Sequence, residues 1–145
     1  MIILDTNVVS ELMRPNPNSN VVDWVAGQAA LDLHLSTVSE AELLYGIEIL
    51  PPGGRRDRLL AEIEGMLKED FDRRILPFDS SAARAYAVIA AARRAAGRPI
   101  NHADCQIAAI ARCRGASVAT RDVDDFEGTG IEVINPWADG GTQRN

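Results

Sequence analysis

Short apolar or alternating runs, each giving way to a helical stretch, predict an α/β fold: a three-layer α/β/α domain around a central, mainly parallel sheet of four to five strands. Three observations carry this. Ile2-Ile3-Leu4, Ser117-Val118-Ala119-Thr120 and Ile131-Glu132-Val133-Ile134 are strand-length runs that stop at turn or charged residues. Between such runs, residues like Leu43, Leu44, Ile47 and Leu50 recur at helical spacing. One helical stretch, Ala103 to Ala111, is apolar on nearly every face and has to lie centrally.

At 145 residues the chain fits one domain, taken as 1–138, with 139–145 expected to be a disordered tail. Hydrophobic residues make up 46% and charged residues 25%, an ordinary globular balance. No stretch approaches the roughly 20 apolar residues of a membrane span. Neither a basic n-region nor an apolar h-region marks the N-terminus, so a cytoplasmic protein without membrane contact is expected. Cys105 and Cys113 fall eight residues apart on one expected helix, about 12 Å at ~1.5 Å per residue, too far to pair. They read as small buried hydrophobes. The net charge of −6 argues against a broad nucleic-acid-binding face. Arginines cluster at 55–58, 73–74, 93–98 and 112–121, which read mostly as solvated helix faces.

In order, Ile2 to Leu4 forms a strand buried on both sides and ends on Asp5; Thr6 or Asn7 then caps a helix starting at Val8. A loop at Pro15 to Asn18 precedes a second helix, capped by Asn20 and running to about Gln28. Leu31 to Ser36 alternates as a strand, with His34 on its polar, surface face. Ser39-x-x-Glu42 reads as a capping box that places Glu42 in the first turn of the next helix. After Pro51-Pro52-Gly53-Gly54 a charged helix extends to about Asp70. Ile75-Leu76-Pro77-Phe78 is an edge strand because of its proline. Asp79 caps a helix ending at Gly97, whose inner face carries Ala82, Tyr86, Ile89 and Ala90. The central helix carries Asp104 in its first turn and ends at Gly115, with His102 read as a loop residue beside it. Asp122 follows the strand ending at Thr120, and Asn135-Pro136-Trp137 closes the core after the last strand.

In such a sheet ligands collect beyond the carboxyl ends of the strands. Asp5, Glu42, Asp104 and Asp122 all fall there. Each has a structural alternative: a turn aspartate, a cap residue, or an anion on a helix dipole. As a set they resemble an oxygen-rich site for a hard cation, Mg²⁺ or Mn²⁺. Two unit charges ~5 Å apart repel by about 3 kcal/mol at an effective dielectric near 20, a cost that four structural carboxylates have no reason to accumulate.

The ordered series Leu4-Asp5-Thr6-Asn7, Ala41-Glu42-Leu43 with Gly46, Leu76-Pro77-Phe78-Asp79, Ala103-Asp104-Cys105-Gln106, Ala119-Thr120-Arg121-Asp122 with Asp125-Phe126, and Asn135-Pro136-Trp137 resembles the PIN-domain ribonucleases. The closest resemblance is to the VapC and FitB-like toxins of type II toxin–antitoxin pairs. It spans Met1 to about Trp137 and makes 1–138 a PIN-like nuclease domain. The resemblance implies a metal-dependent endoribonuclease acting on RNA, with Asp5 and Asp104 as the firmest metal ligands. Glu42 and Asp122 would complete the pocket, with Thr6, Asn7 and Thr120 supporting the ligands from behind. Many relatives have asparagine where Asp122 stands. A homodimer and a small DNA-binding antitoxin are the implied partners, and a DNA contact made by the antitoxin reconciles a nuclease toxin with a charge of −6.

Two other readings compete. An inactive PIN-fold binding module would use the acidic pocket only to dock a partner. A phosphoaspartyl phosphatase or receiver domain needs a carboxylate pair on an early strand and a nearby lysine, whereas Asp5 precedes Thr6-Asn7 and Lys68 lies far from any strand end.

Overall fold

The computed structural model describes residues 1–138 and the backbone of Thr142–Arg144. Strands β1 (Ile2–Leu4), β2 (Leu33–Ser36), β3 (Ile75–Leu76), β4 (Ser117–Ala119) and β5 (Val133–Asn135) form a parallel sheet in the order β3-β2-β1-β4-β5. A sixth strand, β6 (Thr142–Arg144), runs antiparallel to β5. Part of the expected disordered tail is therefore paired backbone, while 139–141 and 145 lie outside the described residues.

Alternation along β1 divides the core. Ile3 and Val118 face helices α5 (Ser80–Ala95) and α6 (His102–Arg114), packing with Ala82, Ile89, Ile107 and Phe126. Leu4 and Ala119 face the other way, onto α1 (Thr6–Leu12), α2 (Ser19–Ala26), α3 (Thr37–Glu48) and α4 (Gly54–Gly65), among Val8, Val21, Leu43 and Ile63. These are the three expected layers. A π-turn, Met66–Asp70, continues α4 and brings Leu67 and Phe71 to the second core. The central position of α6 is borne out, since Cys105 and Ile107 to Ala111 are all buried. Gly115 ends that helix in the left-handed conformation at φ 66°, where a side chain would be strained.

Several local expectations change. His34 is buried, not on the surface: it stands opposite Ile3 in β2, with a sheet neighbour on each side, and its Nδ1 lies 3.0 Å from the Asp32 carbonyl. Alternation signals a polar face only where that face meets water, and a parallel strand between helical layers has none. The run Leu31–Ser36 starts as a 3₁₀ turn, Ala30–Asp32. Asp5 itself caps α1, accepting from the Thr6 N–H. Ser36, not Ser39, caps α3, which moves Glu42 into the second turn. Arg93 is no solvated helix residue: it is buried, and its guanidinium donates to backbone carbonyls.

Candidate active site

The carboxyl ends of β1 and β4 lie side by side, Leu4 paired with Ala119, and each strand delivers a carboxylate within three residues. Asp5 is 7% exposed. Its Oδ1 accepts from the Thr6 N–H at 2.8 Å and its Oδ2 from the Thr120 hydroxyl at 2.8 Å. Thr120, fully buried, also accepts the Asp122 N–H at 3.1 Å. Between the two strands stands Asn7. Its Oδ1 accepts the Arg121 N–H at 3.3 Å, which fixes the amide orientation because only oxygen accepts. Its Nδ2 then faces Asp122 Oδ2 at 3.2 Å, Thr120 Oγ1 at 3.3 Å and Asp5 Oδ2 at 3.5 Å. One neutral amide thus lies between two anions.

Glu42 and Asp104 come from helices. Glu42 is exposed, and its Oε1 lies 3.0 Å from the Thr6 hydroxyl, which is also 2.9 Å from the hydroxyl of buried Ser39. An ionised carboxylate only accepts, so Thr6 gives its single proton to Glu42 and takes one from Ser39. Asp104 is half-buried in the first turn of α6. Asn101, the helix cap, accepts the Asp104 N–H at 2.8 Å and donates to its Oδ2 at 2.7 Å.

The electrostatics tie the groups together. Burial pushes the Asp5 carboxyl up to about 6; the Thr120 and Thr6 hydrogen bonds oppose this, and the charges of Asp104 and Glu42 add to it. Asp104 is raised as well, by burial first, against the Asn101 hydrogen bond, and then by Asp125, Asp122 and Glu42. Among the described residues none of Asp5, Glu42, Asp104 and Asp122 forms an ion pair with an arginine or lysine. Glu11 is the contrast: equally buried, it is fully used by the Asn18 N–H at 3.1 Å and Arg14 at 3.4 Å.

The four carboxylates anticipated from sequence therefore face a common region within electrostatic reach. Among the described residues, however, no three Asp, Glu, His or Cys side chains close on a single point. The donor set is hard, anionic, unpaired and open. That suits a small divalent cation that retains several waters and takes only one or two carboxylates directly. Three participants were missed from sequence: Ser39 behind Thr6, Asn101 on Asp104, and Asp125, whose charge acts on Asp104 ahead of that of Asp122. Asn101 was findable, since a cap signal precedes Asp104 by three residues. His102 opens α6 instead of lying in a loop. Its Nδ1 is 2.5 Å from the Tyr86 hydroxyl.

From Thr6 and Glu42 a groove of ≈ 670 Å³ leads over Leu43, Ile47 and Leu59 towards Arg14, Arg55 and Arg58. Among the described residues no helix is long and apolar enough to cross a membrane.

The PIN domain family model matches residues 2–131. The plasmid stability protein StbB of Pseudomonas syringae pv. tomato is 49% identical over 137 residues, 94% of this chain and 99% of that protein. The VapC ribonuclease Y4jK of Sinorhizobium fredii is 42% identical over 137 residues, covering 94% and 98%. The toxin FitB of Neisseria gonorrhoeae is 41% identical over 139 residues, covering 96% and 100%. The solved structure of FitAcB from the same organism aligns with a TM-score of 0.89 at 41% identity, over 94% of this chain and 99% of that one.

Proposed function

The chain belongs to the PIN-domain family, and on that premise we propose that it is a metal-dependent endoribonuclease, the toxin of a toxin–antitoxin pair. The observation that carries the reading is that Asp5, Glu42 and Asp104 each meet a charge of the same sign across one site, with no cation from the described residues to offset them. Such an arrangement is costly in the empty protein and useful once a cation is held there.

Asp5 and Asp104 would hold Mg²⁺ or Mn²⁺, with Glu42 and Asp122 completing the anionic wall. A divalent ion so held supplies an activated water and neutralises charge on the scissile phosphate. The rest falls to the protein. Thr120 and Asn7 keep Asp5 and Asp122 in register, Thr6 orients Glu42, and Asn101 orients Asp104. Arg14, Arg55 and Arg58 along the adjoining groove offer phosphate contacts to the flanking strand, a local basic track on an acidic protein. Hydrolysis by water needs no 2′-hydroxyl, so DNA belongs in the same assay.

The purified protein should cleave RNA with Mn²⁺ or Mg²⁺ and stop on addition of EDTA. Asp5→Asn and Asp104→Asn should each abolish cleavage while leaving far-UV circular dichroism unchanged. Full activity in either variant sinks the assignment of the site, and a wild-type protein that cleaves nothing with either metal leaves the docking-module reading in its place. A homodimer is part of the proposal. Tyr45 in the last turn of α3 and Ile49 at its C-cap, four residues apart, are 66% and 65% exposed and offer an apolar face for a second copy. Light scattering should report about twice the chain mass. The remaining partner is a small antitoxin carrying the DNA-binding domain.

A further inference from the structure

Arg93 is 8% exposed on the last turn of α5, and among the described residues its partners are carbonyl oxygens, not carboxylates. Its Nη1 donates to the carbonyls of Asp125 at 2.9 Å and Glu127 at 2.8 Å, and its Nε to the carbonyl of Arg98 at 2.6 Å. The first two belong to the segment that follows β4 and carries Asp122 and Asp125. The third belongs to the connection between α5 and α6, three residues before Asn101, the cap that orients Asp104. One rigid guanidinium therefore joins the two chain segments whose carboxylates oppose each other across the site.

We propose that Arg93 is a positioning residue that sets the separation of Asp104 from Asp122 and Asp125 and so sets the affinity for the divalent ion; this rests on the metal-nuclease reading above. The chemistry calls for arginine. Three carbonyls approached from two directions need a planar fork of fixed N–H groups, and a lysine ammonium is a single point on a flexible stem. The 122–127 segment has other anchors, buried Phe126 and the Thr129 hydroxyl donating to the Phe126 carbonyl at 2.6 Å. Those hold it to the core, whereas Arg93 ties it to the Asp104 side. The Arg93 charge also reaches the first turn of α6, where it opposes the burial that raises the Cys105 thiol.

Partners that hold metal ligands in place typically matter ten- to a hundredfold in affinity. Calorimetric titration of the full chain with MnCl₂ should show a dissociation constant raised about tenfold or more in Arg93→Lys and Arg93→Gln. In Arg93→Ala, millimolar guanidinium should tighten Mn²⁺ binding where equal NaCl does not. Ile89→Ala, one turn earlier on the same helix and fully buried, should melt lower yet bind Mn²⁺ like wild type. Wild-type affinity in the folded Arg93 variants overturns the role, as does an equal loss in Ile89→Ala. Failure of the Arg93 variants to fold overturns it too, in favour of a clamp that serves only the fold. A wild-type protein that binds no Mn²⁺ sinks the metal reading itself, and this one with it.

Discussion

Asp5 and Glu42 look onto one site from opposite circumstances. Asp5 ends a central strand, is nearly sealed from water and takes hydrogen bonds on both oxygens. Glu42 stands exposed in the second turn of α3 and, among the described residues, takes one bond, from Thr6. The strand-borne half, Asp5 with Asn7, Thr120 and Asp122, is a network in which each member touches at least two others. The helix-borne half is two separate groups, Ser39 and Thr6 with Glu42, and Asn101 with Asp104. Where desolvation is severe the fold supplies compensating donors, and where water can do the work it supplies one. The strand half should therefore govern the protein's energetics as well as its chemistry, and the helix half mainly its chemistry.

The largest effect expected from that asymmetry is on stability against pH. A carboxylate raised to about 6 by the fold stays protonated where the unfolded chain ionises, so the metal-free protein is most stable below about pH 4 with respect to this group. Its contribution is lost as pH rises through about 6, and a shift of this size corresponds to about 3 kcal/mol at most. Asp104, also raised, adds in the same direction. Thermal melts in EDTA should show the loss between pH 4 and 6. Asp5→Asn should flatten it, and saturating Mn²⁺ at pH 7 should restore about 2.7 kcal/mol at a hundredfold excess over Kd. Parallel pH profiles for wild type and Asp5→Asn would show that Asp5 bears no such cost.

Next comes Thr120→Val, nearly isosteric, which removes one hydroxyl from the network. Asp5 Oδ2 loses its shortest donor, and the Asp122 N–H and the Asn7 amide lose an acceptor in a fully buried position. Urea melts should show a loss of about 2 kcal/mol, and Mn²⁺-dependent cleavage should fall at least tenfold. A variant that keeps both values would mean that the strand half is not held by this hydroxyl.

The same asymmetry decides what could be read from the sequence. Asp5, Asp79 as a cap, the buried α6 and the turn at Gly115 announce themselves locally, through a strand that stops on a charge, an Asp before an Ala-rich run, or a Gly after the last helical residue. Asp5, Asp104 and Asp122 stood out because each falls beside the end of a recognisable element, whereas Glu42 stood out through a capping box that Ser36 displaces. Asn101 acts on Asp104 three residues on, where its cap signal could have been read, whereas Ser39 and Arg93 act on segments that nothing in their own neighbourhood identifies. For Ser39 and Arg93 the partners lie more than thirty residues away, at Thr6, Asp125 and Glu127. His34 misled for a related reason: alternation records which side chains are polar, but only the sheet order shows that β2 lies between two other strands.

The smallest effect tests the weaker half. Thr6 carries one proton, which ionised Glu42 claims, so the buried Ser39 hydroxyl donates to Thr6. Thr6→Val removes both roles. Ser39 is left buried without that acceptor, a cost of about 1 kcal/mol. Glu42 is exposed and can take a water in place of Thr6. Cleavage should therefore drop only a few-fold at saturating Mn²⁺, while Thr6→Ser, which retains the hydroxyl, should sit close to wild type in both melting and rate. The informative quantity is the ratio of the two losses. Thr120→Val should lose activity out of proportion to stability, because its hydroxyl touches two members of the acidic set. Thr6→Val should lose the two in step. If Thr6→Val instead cuts cleavage as deeply as Thr120→Val does, Glu42 depends on its single hydrogen bond as strictly as Asp5 depends on its network, and the division into a strand-held and a helix-held half fails.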